Sequence, residues 1–380
     1  MRVALLTDGI YPYVIGGMQK HSFYLAKYLA KNNIHVDLFH FNQSELDINK
    51  LEFFNAEEKK FIHAFVIPFP KSIKFPGHYI YNSYRYSNLI FEKIKPLLNH
   101  YDFIYTKGFT GWKLISEKEK GLPCPNIGIN FHGYEMFQKT SGIKSKLQQF
   151  LLKPFVKNIT LKSDVVFSYG GKITSIIQSL GVNNTQIIEL ESGIEKLLIS
   201  DSISKQTNPL MRFVFIGRAE KRKGIKELNT AIRFLIEKKS AFTFEFIGPI
   251  ATYDKIQDSR ITYHGEVRSF EKIQHLLRQN DVLVCPSYSE GFPNAILEAM
   301  ACGLAIVATD VGAVSKLVNN NNGWLIKPLE QKELTDTLQQ VIACKNIDSK
   351  KQASLDLIKN QFNWEIVSTH LITILNKLAK

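Results

Sequence analysis

The sequence places two cations on either side of a turn at the end of a predicted strand. Residues 212–217 form a short apolar run, and the letters GRAEKRKG at 217–224 lead into a predicted helix at 224–238. Arg218 and Lys223 flank this turn. Because the amides at a helix N-terminus carry partial positive charge, the turn suits an anionic group such as a diphosphate. A solvated basic loop is the alternative interpretation.

Two carboxylates stand around a second turn of the same kind. The segment PSYSEGFPNAILEAMACG at 286–303 follows a predicted strand, and a helix is predicted at 294–302. Glu290 precedes this helix, and Glu298 lies about one turn inside it. A diphosphate over the helix start would have a carboxylate on each side, and each could accept hydrogen bonds from sugar hydroxyls. The pattern predicts a nucleotide-sugar site, with two unrelated surface carboxylates as the alternative.

The first half of the chain contributes a glycine pair and a histidine. Gly16 and Gly17 lie in the loop after the first predicted strand, where glycine permits close approach to a ligand. His132 follows a predicted strand at 127–130, a position typical of active-site residues in open α/β sheets. A plain turn and a structural histidine are the alternatives. Secondary candidates are Asp8, His21 and Glu135.

Several kinds of site lack their motif in this sequence. There is no GxGxxG after a strand, no GxxxxGK[ST], no HExxH, no GxSxG and no Asp-x-Asp pair. We therefore expect no bound metal and no cofactor. The four cysteines are far apart in the chain, which argues against metal-ligand spacing and favours reduced thiols in the cytoplasm.

The chain of 380 residues is basic, with a formal net charge of +13, which favours an acidic partner. A stretch that begins at Lys139 and ends at Lys172 holds seven lysines and one aspartate, interleaved with apolar residues such as Phe150. It predicts either a helix with solvated lysines packed on a sheet or an attachment to an anionic membrane surface. No apolar run approaches the ~20 residues of a membrane span. No nucleic-acid recognition motif occurs, so we expect no nucleic-acid partner.

Short apolar runs alternate with longer periodic ones, which predicts an α/β fold with parallel sheets. The pattern restarts after a polar segment, so we expect a domain at 1–200, a linker at 201–210 and a domain at 211–360. Residues 361–380 end in an amphipathic helix at 364–378, whose apolar positions include Ile366, Val367 and Leu371. Two such domains place a ligand in the cleft between them.

At this point the sequence resembles the family 4 retaining glycosyltransferases, whose GT-B architecture has two facing Rossmann-like domains. The resemblance is most specific at 213–328, in FVFIGRAEKRKG, YHGEV, DVLVCPSYSEGFPNAILEAMACGLAIVATDVGAV and NNGWLIKP. One departure is Lys316, where the family often has a glutamate. Another is Ala313, where the family often has a second glycine, and Ser192-Gly193-Ile194 replaces the usual Asn-Gly-Val before the linker.

The resemblance implies a role for each candidate. Arg218 and Lys223 would bind the donor diphosphate and stabilise the leaving group, Glu298 would hold the ribose, and Glu290 would hold the transferred sugar. His132 would lie near that sugar, and the helix at 364–378 would cross back onto the first domain. The remaining implied donor-binding residues are Gly16, Gly17, Gly291, Phe292, Pro293, Asn294, Ala295 and Ile296.

The function that the resemblance implies is hexosyl transfer from a UDP- or GDP-sugar to a glycan or lipid-linked acceptor. We expect retention of the anomeric configuration, no obligatory metal, and a place in surface polysaccharide biosynthesis. The enzyme would be cytoplasmic, with peripheral attachment to the membrane through the basic stretch. The alternatives are a nucleotide-sugar epimerase or phosphorylase, and a non-catalytic sugar-nucleotide binder of the same fold.

Overall fold

Two parallel β-sheets organise the chain. A computed structural model describes residues 1–14, 16–41, 53–70, 77–140, 142–205 and 209–379. The sheets have seven and six strands, and every strand pair in them is parallel. Because parallel neighbours need long crossovers, helices join the strands and cover the sheets. The predicted α/β class with two Rossmann-like domains is confirmed.

The first sheet has the strand order β3-β2-β1-β4-β5-β6-β7. Its strands are β1 Arg2–Leu6, β2 His35–His40, β3 Ile62–Val66, β4 Phe103–Lys107, β5 Asn126–Asn130, β6 Val165–Ser168 and β7 Ile187–Glu189. Its helices are α1 Gly17–Lys31, α2 Ala56–Lys59, α3 His78–Ile94, α4 Trp112–Glu119, α5 Ile143–Lys162 and α6 Lys172–Ser179.

The second sheet repeats the arrangement in the order β10-β9-β8-β11-β12-β13. Its strands are β8 Met211–Ile216, β9 Phe242–Ile247, β10 Ile261–Gly265, β11 Val282–Cys285, β12 Ala305–Thr309 and β13 Gly323–Ile326. Its helices are α7 Ile225–Glu237, α8 Phe270–Arg278, α9 Asn294–Ala301, α10 Val314–Leu317, α11 Gln331–Ile342 and α12 Ile347–Gln361. In both sheets the chain order reverses beside the first strand, and ligands of open α/β sheets bind at such a reversal.

The central strands are apolar on both sides because helices cover both faces of each sheet. In β1, Val3 and Leu5 are fully buried in one core cluster, while Ala4 and Leu6 are fully buried in another. A strand buried on both faces reads as a continuous apolar run, which is why β1 stands out in the sequence.

The C-terminal helix α13 Trp364–Leu378 packs on the first domain. Asn363 caps it by accepting a hydrogen bond of 3.0 Å from the Ile366 amide. Trp364, Val367 and Leu371 are buried in the core cluster that also contains Val3 and Leu5. The prediction that Ile366 lies on the apolar face is wrong, since its side chain is 43% exposed. The buried face instead begins with Trp364, which is 1% exposed.

The segment between the two sheets is irregular. The predicted linker at 201–210 has neither strand nor helix in its described residues, and 206–208 lie outside the described part of the chain. No helix among the described residues has both the length and the apolar character needed to cross a bilayer.

Candidate functional site

The carboxyl ends of the strands of both domains face a cleft of about 710 Å³. The cleft lies at the reversal of strand order, where the β1 loop faces the β8 loop. Candidates from both domains line it, namely Gly16, Gly17, Arg218, Asn294 and Glu298. Charged and polar groups that the sequence separates by hundreds of positions therefore share one cavity.

A second cavity of about 520 Å³ lies on the first-domain side. Its walls include His132, Glu135 and, from the second domain, Arg222. Gly17 lines both cavities, so it stands at their boundary. A Cβ on Gly17 would lie 2.9 Å from His132 Nε2. Glycine at this position therefore leaves the space beside His132 Nε2 unfilled.

The two predicted cations of the β8 turn occupy different environments. Arg218 lines the larger cleft, with a side chain that is 61% exposed and an NH1 atom 4.0 Å from Glu220 Oε1. The Lys223 side chain is only 15% exposed, and its Nζ lies 2.5 Å from Glu290 Oε1. Lys223 is thus paired with the predicted carboxylate Glu290, whereas Arg218 lies on the wall of the larger cleft.

Glu290 is the centre of a buried ionic cluster. Besides Lys223, Arg222 approaches it, with NH1 3.8 Å from Glu290 Oε2. Burial alone would favour the neutral carboxyl, yet these two cations hold the pKa of Glu290 below its ordinary value. From the first domain, Gln138 Nε2 donates a 2.6 Å hydrogen bond to the Glu290 carbonyl. Sequence reasoning missed Arg222, although the run Lys221-Arg222-Lys223 was the available signal.

Glu298 lies in α9 and bonds across the cleft. Lys20 of α1 donates to Glu298 Oε1 at 2.5 Å, and this pair joins the two domains. Both residues line the larger cleft, and so does Asn294 at the start of α9. No side chain caps the α9 amides in the described structure. The sequence analysis assigned no role to Lys20, because nothing local in the sequence indicates its partner.

The rest of the predicted 291–296 segment is largely buried. Phe292 and Ile296 are fully buried and belong to the core, so their side chains anchor the loop and do not line either cavity. A Cβ on Gly291 would lie 1.8 Å from the His132 carbonyl oxygen. The two domains therefore meet backbone to backbone here. Pro293 is buried and Ala295 is half-buried.

His132 has a defined tautomer because of the groups behind it. Asn130 Nδ2 donates to the Phe167 carbonyl at 3.0 Å, which leaves Asn130 Oδ1 to accept from the Tyr169 hydroxyl at 3.2 Å. That hydroxyl oxygen then accepts from His132 Nδ1–H, also at 3.2 Å. Burial, with the nearby Lys107 charge, lowers the pKa of His132 to about 3. The neutral ring thus keeps an unprotonated Nε2, an acceptor, on the side of Gly17.

Lys107 is a fully buried lysine beneath the histidines that sequence reasoning missed. Its Nζ donates to Asn130 Oδ1 at 2.8 Å and lies 2.9 Å from His21 Nδ1. Burial lowers the pKa of Lys107 well below its ordinary value. The signal was a lysine at the end of the apolar strand β4. Nearby, burial raises the pKa of Asp8 to about 6, although Gln19 donates to its carboxylate at 2.8 Å.

Ion pairs join the domains beside the site. Lys316, where the resemblance leads one to expect glutamate, lies 2.9 Å from Glu189 and 3.5 Å from Glu191 of the first domain. Lys172 pairs with Asp310 at 2.8 Å. The departure at Lys316 is therefore matched by carboxylates on the facing domain.

No three His, Cys, Asp or Glu side chains in the described residues are grouped so that they could hold a metal ion. The four cysteines are free thiols.

Comparisons with known proteins agree with this architecture. Residues 211–344 match the family model described as glycosyl transferases group 1. An uncharacterized glycosyltransferase of Methanocaldococcus jannaschii, MJ1178, is 25% identical over 95% of this chain and 94% of its own length. The N,N'-diacetylbacillosaminyl-diphospho-undecaprenol alpha-1,3-N-acetylgalactosaminyltransferase of Campylobacter jejuni is 27% identical over 60% of this chain and 58% of its own.

Solved structures share the fold over the whole chain. Sucrose-phosphate synthase from Thermosynechococcus elongatus superposes with a TM-score of 0.78 at 17% identity, over 99% of this chain and 98% of that one. Anabaena HepE, solved in complex with UDP, has a TM-score of 0.67 at 16% identity over the full length of both chains. The match of residues 211–344 to the group 1 model, the glycosyltransferase that is similar over nearly the whole chain and the two facing domains together identify this protein as a glycosyltransferase with the GT-B fold, and they support the family 4 type.

Proposed function

We propose that this enzyme transfers a hexosyl unit from a nucleoside-diphosphate sugar to a glycan or lipid-linked acceptor, with retention of configuration and no obligatory metal. The observation that carries the proposal is the pair of cavities that meet at Gly17. The larger cavity is lined by cations such as Arg218, by the Glu298 carboxylate and by the start of α9, and the smaller cavity is lined by His132. Donor and acceptor would occupy the two cavities and react at their boundary.

The larger cleft supplies groups suited to each part of the donor. Arg218 and the α9 amides suit a diphosphate. Glu298 suits the ribose hydroxyls once they replace Lys20 as its partner. Glu266 and Arg268 line the same cleft and would border the base.

The charge that develops on the leaving diphosphate needs stabilisation, which the cations of the β8 turn would supply. Arg218 lies on the cleft wall, and Lys223 stays protonated because Glu290 raises its pKa despite the opposing effect of burial. Glu290 would hold hydroxyls of the transferred sugar, and His132 Nε2 would accept a hydrogen bond from another.

Retention would follow from attack on the face that the leaving group departs from. The bond between the anomeric carbon and the diphosphate oxygen breaks while the acceptor oxygen bonds to that carbon on the same side. The acceptor proton passes to the departing phosphate oxygen. This scheme needs no protein nucleophile.

The names of two relatives support a polysaccharide as the product. CapM of Staphylococcus aureus, 23% identical over 58% of this chain, is named for capsular polysaccharide biosynthesis. WcaL of Escherichia coli, 22% identical over 73% of this chain, is named for colanic acid biosynthesis, as a putative assignment. The UDP complex of HepE supports a uridine nucleotide. We place the reaction in surface polysaccharide biosynthesis, at the cytoplasmic face of the membrane.

The test is a thermal-shift screen with UDP-, GDP-, dTDP- and ADP-sugars, with and without EDTA, because a bound ligand raises the melting temperature. We expect one nucleotide class to stabilise the enzyme, EDTA to change nothing, and Arg218→Ala to remove the shift. NMR of the product would show the same anomer as the donor. Release of an epimerised donor without acceptor would favour an epimerase. Donor binding with no turnover across an acceptor panel would favour a sugar-nucleotide binder.

A further inference from the structure

Helix α5 exposes an apolar stripe that nothing in the described structure covers. Ile143 is 88% exposed, Leu147 is 59% exposed and Phe150 is 71% exposed. These positions are four and three residues apart, so they share one face of the helix. Leu151 and Pro154 extend it, since they are also exposed. A run of large apolar side chains on one exposed face indicates an interaction surface.

Lysines border this stripe. Lys146, Lys153 and Lys157 of α5 are exposed, and Lys139 precedes the helix. The last two lysines of the basic stretch are instead neutralised by ion pairs, since Lys162 pairs with Glu119 at 2.6 Å and Lys172 pairs with Asp310. The positive charge available to a partner is therefore concentrated around the apolar stripe. An apolar face with lysines at its borders complements the interface of a bilayer that contains anionic lipid.

The opposite side of the same helix forms a wall of the smaller cavity. Ser145, Gln149 and Leu152 line that cavity, together with the apolar Phe109 and Met136. Gln149 also donates hydrogen bonds to the carbonyls of Glu135 and Gln138, at 2.7 and 3.2 Å, which fixes the helix to the loop after His132. A helix is about 10 Å across. The cavity thus lies about one helix diameter from the exposed stripe.

We propose that α5 is the membrane-contacting element of this enzyme and that the smaller cavity takes the saccharide head of an acceptor whose lipid anchor stays in the same bilayer. The proposal rests on the proposed function, and it commits to a lipid-linked acceptor over a free glycan. One helix would hold the enzyme at the surface with one face and border the acceptor with the other. The acceptor would reach His132 without leaving the membrane.

The first experiment measures co-flotation of the full chain with vesicles of phosphatidylcholine, with and without about 30% phosphatidylglycerol. We expect flotation with the anionic vesicles, weakened by high salt, and about tenfold weaker binding for Phe150→Ser combined with Leu147→Ser. Leu197→Ser is the matched control, since Leu197 is 92% exposed and lies outside α5. Equal flotation of the double variant and the wild type would overturn the proposal.

A second measurement locates the helix in the bilayer. In Phe150→Trp we expect vesicles with brominated acyl chains to quench the new fluorescence, while Tyr253→Trp, at a site 89% exposed in the second domain, stays unquenched. Sedimentation of the same variants tests whether a second copy of the chain, instead of a membrane, covers the stripe. Loss of a dimer in the Phe150 and Leu147 variant, with no quenching in Phe150→Trp, would identify a second copy of the chain and overturn the proposal.

The acceptor part is tested with dodecyl and methyl glycosides of the same sugar presented with anionic vesicles. We expect the dodecyl glycoside to be preferred about tenfold or more, and the preference to be lost in the Phe150 and Leu147 variant. Leu152→Trp, which fills the cavity, should lose transfer but keep flotation. Equal use of both glycosides would overturn this part. The donor thermal shift is measured on every variant, so failure of the proposed function would appear as a missing shift, separately from failed flotation.

Discussion

The Lys223–Glu290 pair is a contact whose contributions to folding and to the proposed chemistry can be measured separately. The two groups lie 2.5 Å apart with side chains 15% and 8% exposed. Removing one partner of a buried pair leaves an uncompensated charge, whereas removing both charges is far less costly.

We expect Lys223→Met to destabilise the protein by about 3 kcal/mol, and the double variant with Glu290→Gln to recover more than half of that loss. Urea unfolding measures both values. If the two residues also act on the donor, the stable double variant still has a kcat/KM lower by ~100-fold or more. Near-normal transfer by this double variant would contradict the assigned roles.

The Tyr169 hydroxyl positions His132 without reaching the cleft. Because the Tyr169 hydroxyl accepts from His132 Nδ1–H, the imidazole presents an unprotonated Nε2 toward Gly17. A ring whose pKa is lowered to about 3 stays neutral at physiological pH.

We expect Tyr169→Phe to lower kcat/KM by roughly tenfold, the equivalent of one lost hydrogen bond, since both tautomers become accessible. The pH profile of the wild type should show no inflection from His132 between roughly pH 5 and 8. An inflection in that range that remains in Asp8→Asn, whose carboxyl has a pKa of about 6 in the wild type, or an unchanged rate in Tyr169→Phe, would argue against the tautomer assignment. Donor thermal shift controls for folding.

At the level of elements, α13 returns the end of the chain to the first domain. Trp364 is 1% exposed and contacts three rings of α1, with centroids 5.3 Å from His21, 5.7 Å from Tyr24 and 5.7 Å from Tyr28. Because His21 also lies beside Lys107, the helix supports the polar groups beneath the cleft.

We expect Trp364→Ala to lower the free energy of unfolding by about 3–5 kcal/mol, because it removes a large buried ring. Ile366→Ala, two positions along on the exposed side, should change it by less than about 0.5 kcal/mol. Chemical denaturation compares the two. Equal effects would mean that the helix packs with a different rotation.

The interdomain contact is a property of the whole molecule. At Gly291 the second domain touches the His132 carbonyl so closely that a Cβ would lie 1.8 Å from that oxygen. The facing ion pairs at Lys20, Lys172 and Lys316 hold the same closed arrangement.

We expect Gly291→Ala to separate the domains, to raise the radius of gyration in small-angle scattering, and to lower transfer by at least ~10-fold because the reacting groups move apart. Gly121→Ala is the control, since a Cβ there strains the backbone but meets no atom within 4 Å. An unchanged radius with full activity would show that the closed contact is dispensable.

The sequence by itself determined the kinds of element and the position of the key turns. Helix α13 has the predicted bounds 364–378, and strand β5 Asn126–Asn130 begins one residue before the strand predicted at 127–130. Buried strands and amphipathic helices carry local apolar patterns, so they can be recognised without tertiary information. The strands β2, β3, β7 and β13 were not predicted. The last two are only three and four residues long, too short for a period to show.

Only the tertiary structure decided which charges meet. Lys20 and Glu298 are 278 positions apart, Lys316 meets carboxylates that precede it by more than a hundred positions, and Lys107 lies buried beneath His132. Arg218 and Lys223, neighbours in one turn, have different surroundings instead of a common one. Sequence spacing fixes contacts within an element, but sheet order and domain closure fix contacts between elements, and those arise from the packing of the whole chain.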